Sequence, residues 1–143
     1  MRPRISGWKK DFPIHEEVED FSGRQRAFVI NCHEGPLGFT VRASEEGKKR
    51  IGYEFACYSE TSPYAALGRV RDKMARGLAT RYLSSAKGPK EMLHDSLEGR
   101  ITSKDGAVAL VVDGVGLSIA DIERMLGSRE GWGFELRIVD PLE

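Results

Sequence analysis

A chain of 143 residues with 40% hydrophobic, 31% charged and 8% aromatic side chains fits one domain or two very small ones, and is too apolar for wholesale disorder. No apolar run approaches the ~20 residues of a membrane span, and the start, MRPRISGWKKDF, lacks the apolar middle of a signal peptide; the expectation is a cytoplasmic protein with no membrane attachment. Two cysteines and a formal net charge of zero exclude a disulfide scaffold and give no global pull on nucleic acid, although residues 1–90 carry 17 Lys and Arg against 11 Asp and Glu while residues 91–143 carry 5 against 11.

Residues 1–23 mix Pro, Gly, a basic start and the acidic cluster HEEVED without a sustained period, which predicts a loosely ordered N-terminal arm. Trp8, Phe12 and Phe21 argue that it docks in part. From Arg24 the pattern turns strand-like. RAFVINCH, FTVRA and RIGYEFACY are separated by the turn formers EGPLG and EEGKK, so three antiparallel strands in a meander are predicted.

The stretch SETSPYAALGRVRDKMARGLATRYL changes period. Ser62 or Thr61 can cap a helix over residues 62–83, Pro63 suits its first turn, and Leu67, Val70, Met74, Leu78 and Tyr82 share one face. These elements form a βββα unit over residues 24–83. SSAKGPKE then breaks the pattern, making residues 84–93 a linker.

In residues 94–140 the order reads ββαβ. LEGRITS and AVALVVD flank Asp105-Gly106, a tight hairpin turn; DGVG is another turn; Ser118 caps IADIERML with Asp121 in a short-armed capping box. Ile119, Ile122, Met125 and Leu126 are the expected inner face of that helix. FELRIV alternates Phe134, Leu136 and Ile138 with Glu135 and Arg137, which predicts a final half-buried strand. The whole is an α+β protein, antiparallel sheet carrying two helices in the order βββα-ββαβ, as one compact domain or two tightly associated subdomains.

LVVDGVGLSIADIERMLGSREGWGFELRIVD, with HDSLEGRI and YEFACYSE before it, resembles an uncharacterised bacterial family of unknown function marked by VxDGxxxSxxExxxML and EGWxFxLxIxD strings. The resemblance spans roughly residues 50–140 and is strongest after His94. It implies a fold and no activity. Some members carry an N-terminal cysteine-rich, zinc-finger-like segment, and this chain has no paired cysteines before Arg24. The βββα opening is similar, at the level of fold alone, to small antitoxin-type domains.

No constellation assigns a nucleophile, a base and a charge stabiliser together, so the sequence leans away from an enzyme. No metal or other cofactor is expected: Cys32, Cys57, His15, His33 and His94 show no CxxC or HxxxH spacing, and buried free thiols are common. Glu54 and Glu98 have no spacing that makes them a hydrolytic pair. DGVGLS opens a helix but lacks a GxGxxG fingerprint.

The basic helix carries the nucleic-acid alternative. Arg69, Lys73 and Arg76 form one line opposite the apolar stripe, which can meet phosphates, though such lines usually serve solubility. Arg71 and Arg81 fall inside or beside the apolar arc. If a polar pocket exists, Arg71 is the first candidate for its edge, with Trp132 another. Trp132 and Phe134 point to one face of the expected final strand, so core filling is their default role and gripping a partner the alternative. The expected function is a non-enzymatic binding or regulatory module, with an unidentified protein partner.

Overall fold

In the computed structural model, residues 7–84 and 88–143 are described. The first six residues of the expected arm and residues 85–87 of the expected linker lie outside them. The chain divides into two compact units, one of Met1–Gly47, Glu54–Ala79 and Val139–Glu143, the other of Lys48–Tyr53 and Thr80–Ile138.

The first unit is a four-stranded antiparallel meander, β1 (Ile14–Glu19), β2 (Gln25–Gly35), β3 (Gly38–Glu45) and β4 (Glu54–Ser59), in the order β1-β2-β3-β4. Helix α1 (Pro63–Ala79) packs against it. The core is the layer between them. Phe28, Ile30, Phe39, Val41, Ala43 and Cys57 from the sheet and Ala66, Leu67, Val70, Met74 and Leu78 from the helix are its buried residues, the helix face following the 3.6-residue period; the helix ends at Ala79 and not at the expected residue 83, so Tyr82 is not on that face. Ser62 Oγ accepts the N–H groups of Tyr64 and Ala65 at 3.1 and 3.2 Å, satisfying orphan donors of the first helical turn. Gly77 lets the helix approach the sheet, since a Cβ there would stand 2.6 Å from the Phe55 ring.

Two expectations for this unit need correction. The acidic stretch of the supposed loose arm is edge strand β1, paired with β2 from Ile14↔Ile30 to Glu19↔Gln25. Its two apolar residues, Ile14 and Val18, share a face with Ile30 on β2. Before it, Trp8 is buried edge-on to Phe12 and Phe39, at 6.1 and 5.8 Å between ring centroids. The supposed third strand starts later than expected: Lys49–Ile51 is a 3-10 turn, Lys49 has φ 52, and pairing begins at Glu54.

The second unit holds a three-stranded antiparallel sheet, β5 (Arg100–Lys104), β6 (Ala107–Val112) and β7 (Val115–Ser118), followed by α2 (Ile119–Leu126). Both hairpin turns are Asp-Gly. Asp105 and Gly106 have φ 53 and 80, Asp113 and Gly114 φ 53 and 73, the double positive φ that matches a two-residue turn to strand twist. Leu83, Val112, Leu117 and Met125 are its buried centre. Arg100 ties β5 to the Lys49–Ile51 turn by donating to the carbonyls of Arg50 and Gly52 at 2.7 and 2.8 Å.

The observed order is therefore ββββα followed by βββα. Strand β7 is an addition to the expected order: the turn expected over DGVG is confined to Asp113-Gly114, and Val115 and Gly116 pair with β6. The final strand expected over FELRIV does not form: residues 133–140 lie in no ladder.

Candidate interaction surface

The C-terminal segment of the second unit begins where α2 ends. After Gly127–Arg129, a short 3-10 turn, Trp132 N donates to Arg129 O at 3.0 Å, and Gly131 takes φ 89. From Trp132 to Asp140 the chain lies in no strand ladder. Trp132 is 64% exposed, Phe134 90%, Leu136 79% and Ile138 68%. This overturns the expectation that Trp132 and Phe134 fill a core. The alternation requires a buried face only once a strand has a neighbour to pair with, and among the described residues this segment has none.

Helix α2 carries a second set of exposed apolar residues. Its N-terminus is built as expected: Asp121 N donates to Ser118 Oγ at 3.1 Å and Ser118 N to Asp121 Oδ2 at 2.8 Å, a reciprocal cap. The Asp121 carboxyl is lowered by the Ser118 hydrogen bonds, backbone first. Of the four apolar residues expected to face inward, only Met125 is buried; Ile119 and Leu126 are exposed and Ile122 half-buried. A three-stranded sheet is too narrow to cover so wide a stripe. Ile119, Ile122, Glu123, Leu126, Gly127 and Glu130 line an open depression of about 520 Å³. Exposed apolar residues that cluster, unlike scattered ones, mark interaction surfaces.

The other anticipated residues lie elsewhere. Arg71 donates to Glu16 of β1 at 2.6 Å, so its cation neutralises an edge-strand carboxylate. Trp132 is not among the residues lining the depression. Arg81 bonds its own chain at Leu83 O, 2.8 Å. On the basic line, Arg69 donates to Tyr58 O, and Lys73 Nζ donates to Ala56 O at 2.8 Å, to Pro141 O at 2.9 Å and to Glu143 O. Both cations hold backbone carbonyls of their own unit.

Among the described residues, the two cysteines do not converge. Cys32 and Cys57 share a row with Val41 between them, which sets them two strand spacings, about 10 Å, apart. That is beyond disulfide reach. Burial, reinforced by Glu34, pushes the Cys32 thiol up to about 11, the wrong direction for a nucleophile. Among the described residues no three His, Cys, Asp or Glu gather as a metal site, and no helix is long and apolar enough to cross a membrane.

Two polar clusters escaped the sequence reading. Asp20, almost fully buried, accepts Ser22 Oγ at 2.6 Å and Arg26 Nε at 2.7 Å, and Arg26 Nη1 reaches buried Glu45 at 2.9 Å. Asp113 accepts the N–H groups of Tyr82 at 2.9 Å and Leu83 at 2.8 Å. Burial first, then the Glu98 carboxylate it bonds, pushes the Tyr82 phenol up to about 12. Both clusters satisfy backbone or paired charge and organise loops.

Comparison with known families divides the chain much as its contacts do. Residues 10–79 match the Domain of unknown function (DUF7686), and residues 84–143 match the Domain of unknown function (DUF7713). The second match covers both motif strings noted in the sequence. Neither the curated proteins nor the solved structures hold a match to the chain.

Proposed function

We propose that this chain, two domains of unknown function in tandem, is a non-enzymatic binding module of the bacterial cytoplasm whose gripping element is the C-terminal segment Trp132–Ile138 with the outer face of α2. The observation that carries the reading is the exposure of Trp132, Phe134, Leu136 and Ile138 at alternate positions of an unpaired segment. An extended chain with free backbone donors and acceptors and one apolar face binds by strand addition: backbone bonds give affinity, alternate side chains give register. Aromatic anchors dominate such interfaces. The nucleic-acid alternative, on Arg69, Lys73 and Arg76, ranks lower, since Arg69 and Lys73 already serve backbone carbonyls. The unpaired thiols suit a reducing compartment.

A photo-crosslinking residue at position 134, compared with one at exposed Leu37 in the first unit, tests the reading in cells. Discrete protein adducts from position 134 alone, weakened by Trp132→Ala and Leu136→Asp, are the expected result. No discrete adduct from position 134, or equal adducts from both positions, overturns it.

A further inference from the structure

We infer that the strand added to this segment is the same segment of a second copy, paired antiparallel about Leu136; the inference rests on the reading of Trp132–Ile138 as the gripping element. Phe134-Glu135-Leu136-Arg137-Ile138 is chemically palindromic. A two-fold axis through Leu136 places Phe134 opposite Ile138 of the other copy and Leu136 opposite itself, all on one face. On the other face Glu135 stands opposite Arg137, twice. Directly opposed residues on antiparallel strands have Cβ atoms about 5 Å apart, close enough for both ion pairs to form. A two-fold interface must be self-complementary, residue i meeting j and j meeting i, and this five-residue string satisfies that in one register. A shift of one residue turns the match into a conflict: Phe134 then opposes Arg137 or Val139, and the apolar faces no longer coincide.

The ribbon needs a cover. Two strands alone are marginal in water, and each copy offers an apolar strip on α2 within the same unit, exposed Ile119 and Leu126 with half-buried Ile122. From their exposed fractions, Trp132, Phe134, Leu136 and Ile138 present on the order of 500 Å² per copy, so two copies bury about 1,000 Å² before α2 is counted, the lower limit of a specific interface. The association is accordingly modest and reversible. Gly131 and Gly133 flank Trp132 and leave the segment free to align, with no atom within 4 Å of a Cβ built at either.

Sedimentation equilibrium of the full chain up to on the order of 100 μM, the range in which a small interface associates, tests this with charge reversal. Wild type dimerises. Glu135→Arg or Arg137→Glu sets like charges opposite each other twice and weakens the dimer about tenfold or more, whereas the double variant Glu135→Arg/Arg137→Glu recovers wild-type association, since position 135 again faces an opposite charge at 137. Circular dichroism confirms that these exposed substitutions leave the fold intact. A wild type that stays monomeric, or a dimer that neither single reversal weakens, or a double variant no better than the singles, overturns the inference. The crosslink separates this from the broader reading: an adduct of twice the chain mass supports self-pairing, while discrete adducts of other masses alone leave the gripping element standing and sink the second copy as its occupant.

Discussion

The guanidinium of Arg129 lies 5.8 Å from the ring centroid of Trp132, and the same group reaches Asp95 at 3.2 Å and the carbonyl of Met125 at 3.4 Å. Arg129 thus steadies an indole that nothing buries. A cation over an exposed ring contributes about 0.5–1 kcal/mol, whereas a core tryptophan is worth about 3–5 kcal/mol. Trp132→Ala should therefore lower stability by about 1 kcal/mol or less. Fluorescence gives the second check. Trp8 is buried and Trp132 exposed, so acrylamide should quench wild-type emission in two components, and Trp132→Phe should retain only the blue-shifted, protected one. A single protected component in the wild type would contradict the exposure of Trp132.

Asp113 carries two duties that one substitution can separate. Its φ of 53 makes it the first residue of the β6–β7 turn, and its carboxylate accepts two backbone N–H groups. Asn tolerates the same turn position but offers one carbonyl oxygen. Asp113→Ala should cost about 2–3 kcal/mol in urea denaturation, because it leaves two donors without an acceptor, and Asp113→Asn should recover part of that loss. Equal costs for the two would assign the whole effect to the carboxylate, since Asn keeps the turn.

The hairpin turns show what the sequence makes legible. Asp105-Gly106 was readable because only certain residues tolerate positive φ at two consecutive positions, a local fact. The helix caps at Ser62 and Ser118 were readable for the same reason. Residues that depend on a distant partner were not: the apolar alternation over Phe134–Ile138 has the pattern of a strand, yet pairing is decided by what lies beside it. Strand β1 failed in the other direction, since HEEVED looks like a solvated run until Ile14 and Val18 are placed beside β2. The ligands of Asp20 and Asp113 come from loop geometry that carries no sequence period. For the interaction surface, the string EGWGFELRIV was legible as distinctive, but its exposure was not.

Gly106 and Gly99 test two different uses of glycine. Gly106 has φ 80 and open space around it, so Gly106→Val should cost on the order of 1 kcal/mol or more through backbone strain alone. Gly99 has no such φ, but a Cβ there would collide with the carbonyl oxygen of Val111. Gly99→Ala should shift β5 away from β6 and accelerate hydrogen exchange of the Arg100 and Ile101 amides. Unchanged exchange would mean that the strand accommodates the methyl without moving.

Asp20 sets the acid limit of the first unit. Burial works to raise its pKa, but the hydrogen bonds of Ser22 Oγ, Arg26 and the backbone N–H groups of Ser22 and Arg24 prevail and hold it at about 2 against an ordinary 3.8. A carboxyl depressed in the folded state adds stability that is fully present above its unfolded pKa and is lost as the pH falls through the folded one. The window here runs from about pH 4 down to about pH 2, and the loss from this group is about 2 kcal/mol. Arg26 faces Glu45 as well as Asp20, so protonating Asp20 leaves the guanidinium with one anionic partner and does not strand it. Asp20→Asn should lower stability at neutral pH, since it removes the charged acceptor that Arg26 Nε and Ser22 share. Between about pH 4 and 2 that difference should shrink, because the wild type is losing what the variant never had. Urea midpoints for the two proteins, measured through this range, should therefore converge toward the acid end; curves that stay parallel would show that Asp20 is not the group that titrates.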